Sequence, residues 1–202
     1  MRVRIAICSA LVFLALGCAH RVEMIDLPPG TGDFLPSEVG IRVPAILEKI
    51  DLRINGNNIE PPEEFRRLIV QKLQRTYVFQ EVATLADSGM MKDREKAVNL
   101  EVSINGALET RELGNLFRSA FFFLSSELPN KDQFDITILL KAVRSDKAER
   151  RYRSRIQGVA YYRFFAGEQA KWEAQDQVLT RGLNDLMRQL MRDVDFFAGK
   201  MR

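Results

Sequence analysis

Thiols and imidazoles are nearly missing from this chain, which has two cysteines and one histidine among 202 residues. Cys8 and Cys18 both stand close to the N-terminus, so the body that follows can build neither an internal disulfide nor a thiolate zinc site. His20 lies beside them, in a stretch with no scaffold to hold it against a nucleophile. No phosphate loop, HExxH or GxSxG motif occurs. Carboxylates are plentiful but spread along polar faces and helix starts, and no pair stands out as a general acid and base. The residues therefore nominate no catalytic group, no metal site and no cofactor. Long apolar runs are lacking too: crossing a bilayer takes about 20 apolar residues, and the stretch from Ile5 to Leu16 is shorter and turns polar at Cys18-Ala19-His20-Arg21.

That short stretch has its own meaning. Arg2 and Arg4 precede it, and Leu14-Ala15-Leu16-Gly17-Cys18 closes it with a small residue followed at once by cysteine. A basic start, an apolar core and a small-residue cut define a secretory signal; the cysteine directly after the cut makes it the layout of a bacterial lipoprotein signal. The expectation is a signal peptide over 1–17, cleavage before Cys18 and acylation of Cys18 with chains such as palmitate. Signals of this kind sort to the outer membrane unless aspartate follows the cysteine, and Ala19 follows here. By that likeness the anchor sits in the outer membrane and the domain faces the periplasm. Cleavage removes two of the 30 basic residues and none of the 27 acidic ones, so the net charge falls from +3 to +1. A nucleic-acid partner is not supported by so balanced a chain.

Pro28, Pro29, Gly30, Gly32 and Pro36 make 18–40 read as a flexible tether, leaving 41–202 as a single domain. Lys49 to Ile54 alternates strictly, as a half-buried strand does, and stops at Asn55-Gly56. Pro61-Pro62-Glu63-Glu64 starts a helix over 62–77, with Phe65, Leu68, Ile69 and Leu73 at helical spacing and Lys72 and Arg75 near its end. Leu100, Val102 and Ile104 form a second strand before another Asn-Gly at Asn105-Gly106. Phe134 to Ala142 and about 150–165 form a long antiparallel hairpin turned at Ser145 to Glu149. Leu179, Leu183, Leu186, Leu190, Val194 and Phe197 give one stripe of an amphipathic helix, in which Gly182 costs about 1 kcal/mol relative to alanine. The order β-α-β-β-β-α predicts an α+β two-layer sandwich: about four strands, mainly antiparallel, with two helices on one face.

Two features are left over. Arg151, Arg153 and Arg155 alternate along the fourth strand, which places them on one face opposite Tyr152, Ser154 and Ile156. A row of guanidiniums suits phosphate or carboxylate recognition, with anionic lipid, glycan or an acidic protein surface as candidates; a solvated outer sheet face is the plainer reading. In 113–128, Leu113, Leu116, Phe117, Ala120, Phe121, Leu124 and Leu128 make a helical stripe that leaves Phe122 and Phe123 on the polar side. Phe121, Phe122 and Phe123 are thus either core or a contact surface for a partner or membrane interface. Trp172, near the start of the last helix, reads as a packing anchor.

With the box ending at Cys18, the helix-then-aromatic phrase from Phe65 through Tyr77-Val78-Phe79-Gln80-Glu81-Val82, the hairpin and the closing helix, the chain resembles a group of small periplasmic lipoproteins. These are the lipopolysaccharide-assembly lipoprotein that plugs an outer-membrane translocon and the auxiliary lipoproteins of ABC-type lipid transporters. The resemblance spans most of 41–198, though 113–128 has no counterpart in it. It implies a non-enzymatic accessory of an envelope transport or assembly complex, held to the membrane by N-terminal lipid, and it carries over no residue but Cys18. The alternatives are a self-associating structural lipoprotein and a carboxylate-based glycan hydrolase.

Overall fold

The computed structural model describes residues 20–26, 42–111, 130–162 and 168–199. Along the chain come β1 (His20–Asp26), β2 (Val43–Ile54), β3 (Asn57–Ile59), α1 (Glu63–Arg75), β4 (Phe79–Thr84), β5 (Val98–Arg111), β6 (Asn130–Val143), β7 (Glu149–Tyr162), α2 (Glu168–Arg192) and α3 (Val194–Phe197). The strands form one mixed, seven-stranded sheet in the order β1-β7-β6-β5-β2-β3, with β4 also paired to β2. The class is α+β as expected, but the sheet is larger than the four strands read from the sequence. The excess comes from three short edge strands. β1 pairs antiparallel with β7, whereas β3 and β4 share the free side of β2, β3 antiparallel and β4 parallel.

β1 corrects the tether reading: residues 20–26 are strand, and His20 is its first residue. β2 pairs parallel with β5 through Ile50↔Val102 and Leu52↔Ile104. Its register shifts between Leu47 and Lys49, and Ala45, Ile46 and Leu47 before that point are all buried. Asn55 and Gly56, at φ 51° and 81°, make the left-handed two-residue turn between β2 and β3 that Asn-Gly favours. The second Asn-Gly does not turn at all. Asn105 and Gly106 lie inside β5, with Gly106 between Ile54 and Ile136. A Cβ there would come within 2.9 Å of Ile54 Cδ1, which is why the strand carries glycine at that point. Asn55 binds across to β5 as well, its Nδ2 donating to the Leu108 carbonyl at 3.0 Å and its Oδ1 accepting from the Leu108 amide at 2.8 Å.

One apolar cluster unites the sheet and both long helices. It includes Leu100, Val102 and Ile104 of β5, Ile138 and Leu140 of β6, Ile69 and Leu73 of α1, and Leu183, Leu186 and Leu190 of α2. The alternation in β5 and β6 turns one face toward the helices, and the 3–4 spacing in α1 and α2 supplies the matching stripes. Lys72 Nζ donates to the buried Asn184 Oδ1 at 3.0 Å and ties α1 to α2. The apolar stripe read as one helix through Phe197 breaks at Asp193 and continues in α3. Phe197 then packs edge-on against Phe79, with ring centroids 5.3 Å apart, and stacks on Tyr152 at 6.4 Å.

Candidate binding face

The alternation that buries one face of the sheet leaves the other open. Register places its residues in rows across four strands: Lys49, Glu101, Lys141 and Arg151; then Asp51, Ser103, Leu139 and Arg153; then Arg53, Asn105, Thr137 and Arg155. Arg151, Arg153 and Arg155 are exposed, and Tyr152, Ser154 and Ile156 between them are buried. The three arginines do share one face, but their surroundings differ. Arg155 grips Asp135 with two nitrogens, Nε to Oδ1 at 3.0 Å and Nη2 to Oδ2 at 2.6 Å, and Gln157 Nε2 adds a third bond at 3.0 Å. The Arg155 guanidinium holds the Asp135 carboxyl below the usual carboxylate range. Arg151 Nε donates to Glu149 Oε1 at 2.6 Å. Arg153 forms no ion pair with any described residue.

The same face carries charges that the arginine row alone did not reveal. Lys141 Nζ donates to Glu101 Oε1 at 2.8 Å, and the carboxylate holds the ammonium above its ordinary value. Lys49 pairs with Asp51 at 2.9 Å. Arg53 is exposed and, like Arg153, forms no ion pair with a described residue. An arriving anion would thus meet Arg53 and Arg153 as available donors, while Arg151 and Arg155 already hold carboxylates. Period two within Lys49 to Ile54 marks Arg53 as facing the same way as Asp51. What local pattern could not supply is the parallel β2–β5 pairing that brings it into the arginines' sheet. Toward the start of β2 this face deepens into a recess of about 570 Å³, lined by Ile46, Glu48, Leu85, Met91, Lys92, Arg94, Glu95 and Asn99.

Cys18, Phe121, Phe122 and Phe123 lie outside the described residues. Trp172 corrects the packing-anchor reading, since it is 69% exposed on α2; the inward positions of that stretch belong to Ala174 and Val178. Among the described residues no cluster of histidine, cysteine, aspartate and glutamate could hold a metal ion, and no helix is long and apolar enough to cross a membrane.

No family model matches the chain, and no curated protein matches it. Solved structures similar to it include a protein described as a neuraminyllactose-binding hemagglutinin homolog from Helicobacter pylori, at 17% identity and TM-score 0.46, covering 89% of this chain and 100% of that one. Rare lipoprotein B from Shewanella oneidensis is similar at 13% identity and TM-score 0.39, covering 75% of this chain and 98% of that one. A minor lipoprotein from Acinetobacter baumannii is similar at 13% identity and TM-score 0.34, covering 78% and 96% respectively.

Proposed function

We propose that this chain is a lipid-anchored outer-membrane protein whose domain faces the periplasm and serves as an accessory component of an envelope transport or assembly complex, acting by binding rather than by chemistry. The observation that carries the reading is Leu14-Ala15-Leu16-Gly17-Cys18 behind a basic start and an apolar run. Each buried methylene contributes about 0.8 kcal/mol, so a multiply acylated cysteine holds firmly where a single chain would not. Replacing Cys18 by serine tests it. The variant should leave the acylated pool, run at a changed mass and shift out of the detergent-extractable outer-membrane fraction. Unchanged mass with unchanged membrane retention would overturn the anchor.

The open sheet face supports the binding half of the reading, and its partner is an anionic surface: lipid headgroup, glycan or acidic protein. Arg53→Glu with Arg153→Glu should abolish co-purification of the partner from solubilised membranes while changing stability by less than about 0.5 kcal/mol per site, as exposed substitutions do. Wild-type capture should weaken in high salt. Full capture by the double variant would reduce this face to a solvated one.

A further inference from the structure

One end of the sheet gathers more than its share of unusual features. His20 pairs with Tyr162, and Tyr162 pairs with Asn130, so three adjacent strands have their ends in one row. Cys18 is two residues before His20, and two residues extend at most about 7 Å. An acyl chain on Cys18 therefore brings this end, and not the opposite hairpin turn at 144–148, against the bilayer. β7 runs 14 residues between the two ends, about 45 Å at strand rise.

Trp172 belongs to the same end. α2 runs antiparallel to β7: Gln189 Nε2 donates to the Arg153 carbonyl at 2.9 Å, Gly182 lies against Ile156, and Ala174 and Val178 pack with Ala160. Ten residues of helix before Gly182 cover about 15 Å, while β7 covers about 20 Å from Ile156 to Tyr162. That leaves Trp172 about one helical turn short of the sheet's end. An indole exposed there has an apolar body and a single N–H donor, the combination that favours the boundary between headgroups and acyl chains. One register row in from the end, Arg111, Lys131, Tyr161 and Arg21 align across four strands. Three basic residues and a tyrosine in one row suit the headgroup region of an anionic leaflet, to which each basic residue adds attraction.

We propose that this end of the domain makes a second, protein-borne contact with an anionic bilayer, Trp172 entering the interface on the helix-covered side of the sheet and the row Arg111, Lys131, Tyr161 and Arg21 lying at the same end on its open side. The inference rests on the acylation of Cys18 proposed above. Trp172 is the sole tryptophan, so its fluorescence reports the contact without a label. Full-length protein purified in detergent is reconstituted with vesicles of phosphatidylethanolamine and phosphatidylglycerol and floated. Flotation with a blue-shifted emission, loss of most of that emission to lipids brominated along the acyl chain, and shielding from acrylamide would bear the proposal out. A Trp172→Phe, Ser145→Trp variant moves the reporter to the far turn, where bromolipids should leave it bright and acrylamide should reach it. Flotation with Trp172 bright in bromolipid overturns this contact and leaves the anchor standing, whether acrylamide reaches the ring or a protein surface covers it. Equal bromolipid quenching at both reporter positions overturns the orientation, and equal quenching in pure phosphatidylcholine overturns the anionic preference. Protein that does not float overturns the anchor and this contact together.

Discussion

Tyr152 shows how much one side chain can join. Its ring lies in the sheet's buried row against Phe197, and its hydroxyl donates to Asp193 Oδ2 at 2.9 Å, at the break between α2 and α3. Burial first, and then the bond to Asp193, push the phenol well above its ordinary value. An unfolded tyrosine ionises near pH 10, whereas this one stays protonated in the fold. Above about pH 10 the unfolded chain binds fewer protons than the folded one, so stability falls as pH rises. Below that pH the contribution is complete. Urea midpoints from pH 7 to 11 should decline more steeply for the wild type than for Tyr152→Phe, even though the variant starts about 1 kcal/mol lower for its lost hydrogen bond. Parallel slopes would show that Tyr152 is not a source of the alkaline loss. Nothing around Tyr152 in the sequence announces this. Arg151 and Arg153 mark its parity, but Asp193 is brought to it by the helix that recrosses the sheet.

At the scale of elements, Gly182 settles how closely α2 lies on the sheet. Read from sequence it is only a penalty of about 1 kcal/mol in a helix. In the fold, a Cβ at that position would fall 2.7 Å from Ile138 Cδ1 and 2.8 Å from Ile156 Cδ1. Both isoleucines are fully buried, and overpacking of that kind costs about 1–3 kcal/mol. Gly182→Ala should therefore lose stability on balance, by about 1 kcal/mol once the helix gain is set against the clash. Gly182→Val keeps the clash and adds bulk, and should lose more. Adding Ile138→Val to Gly182→Ala removes one of the two clashing methyls and should recover part of the loss in a denaturant titration. A Gly182→Ala chain more stable than wild type would mean that the helix can ride higher without harm.

Elements whose periodicity runs unbroken were legible: α1 and the β6–β7 hairpin fall close to their expected limits, and α2 was legible as a helix although it begins earlier, at Glu168, and its stripe breaks at Asp193. The first half of β2 was not, because Ala45, Ile46 and Leu47 are buried on both faces and the register shift before Lys49 interrupts the alternation. Nor was β4, whose Phe79-Gln80-Glu81-Val82 reads as a chain leaving a helix until β2 is beside it. The arginine row was legible as a row. Its pairing with Asp135 and Glu149, and the addition of Arg53, depend on neighbours in the folded sheet.

Across the whole molecule, the part least visible beforehand is the chain order of the sheet. β1 is the first described strand, yet it lies at the edge beyond β7, more than a hundred residues later in sequence, while β2 lies four places away. Pairings of such long range leave no local trace, and His-Arg-Val-Glu-Met-Ile-Asp by itself is a weak strand beside a stretch rich in proline and glycine. Val22 nonetheless packs with Phe134, Ile156 and Ala160, so β1 is fastened by apolar contact as well as by its ladder.

That placement has a mechanical side. If Cys18 carries acyl chains and the open face holds a partner, as proposed, any pull between membrane and partner enters the protein at His20, the first residue of β1, and runs lengthwise along that strand. Antiparallel ladder bonds stand perpendicular to the strand, so such a load shears them together instead of peeling them away one at a time. The proposed membrane attachment would thereby be coupled to a seam built to resist sliding, and tension would reach the hairpin of β6 and β7 through the β1–β7 ladder without passing through residues 27–41.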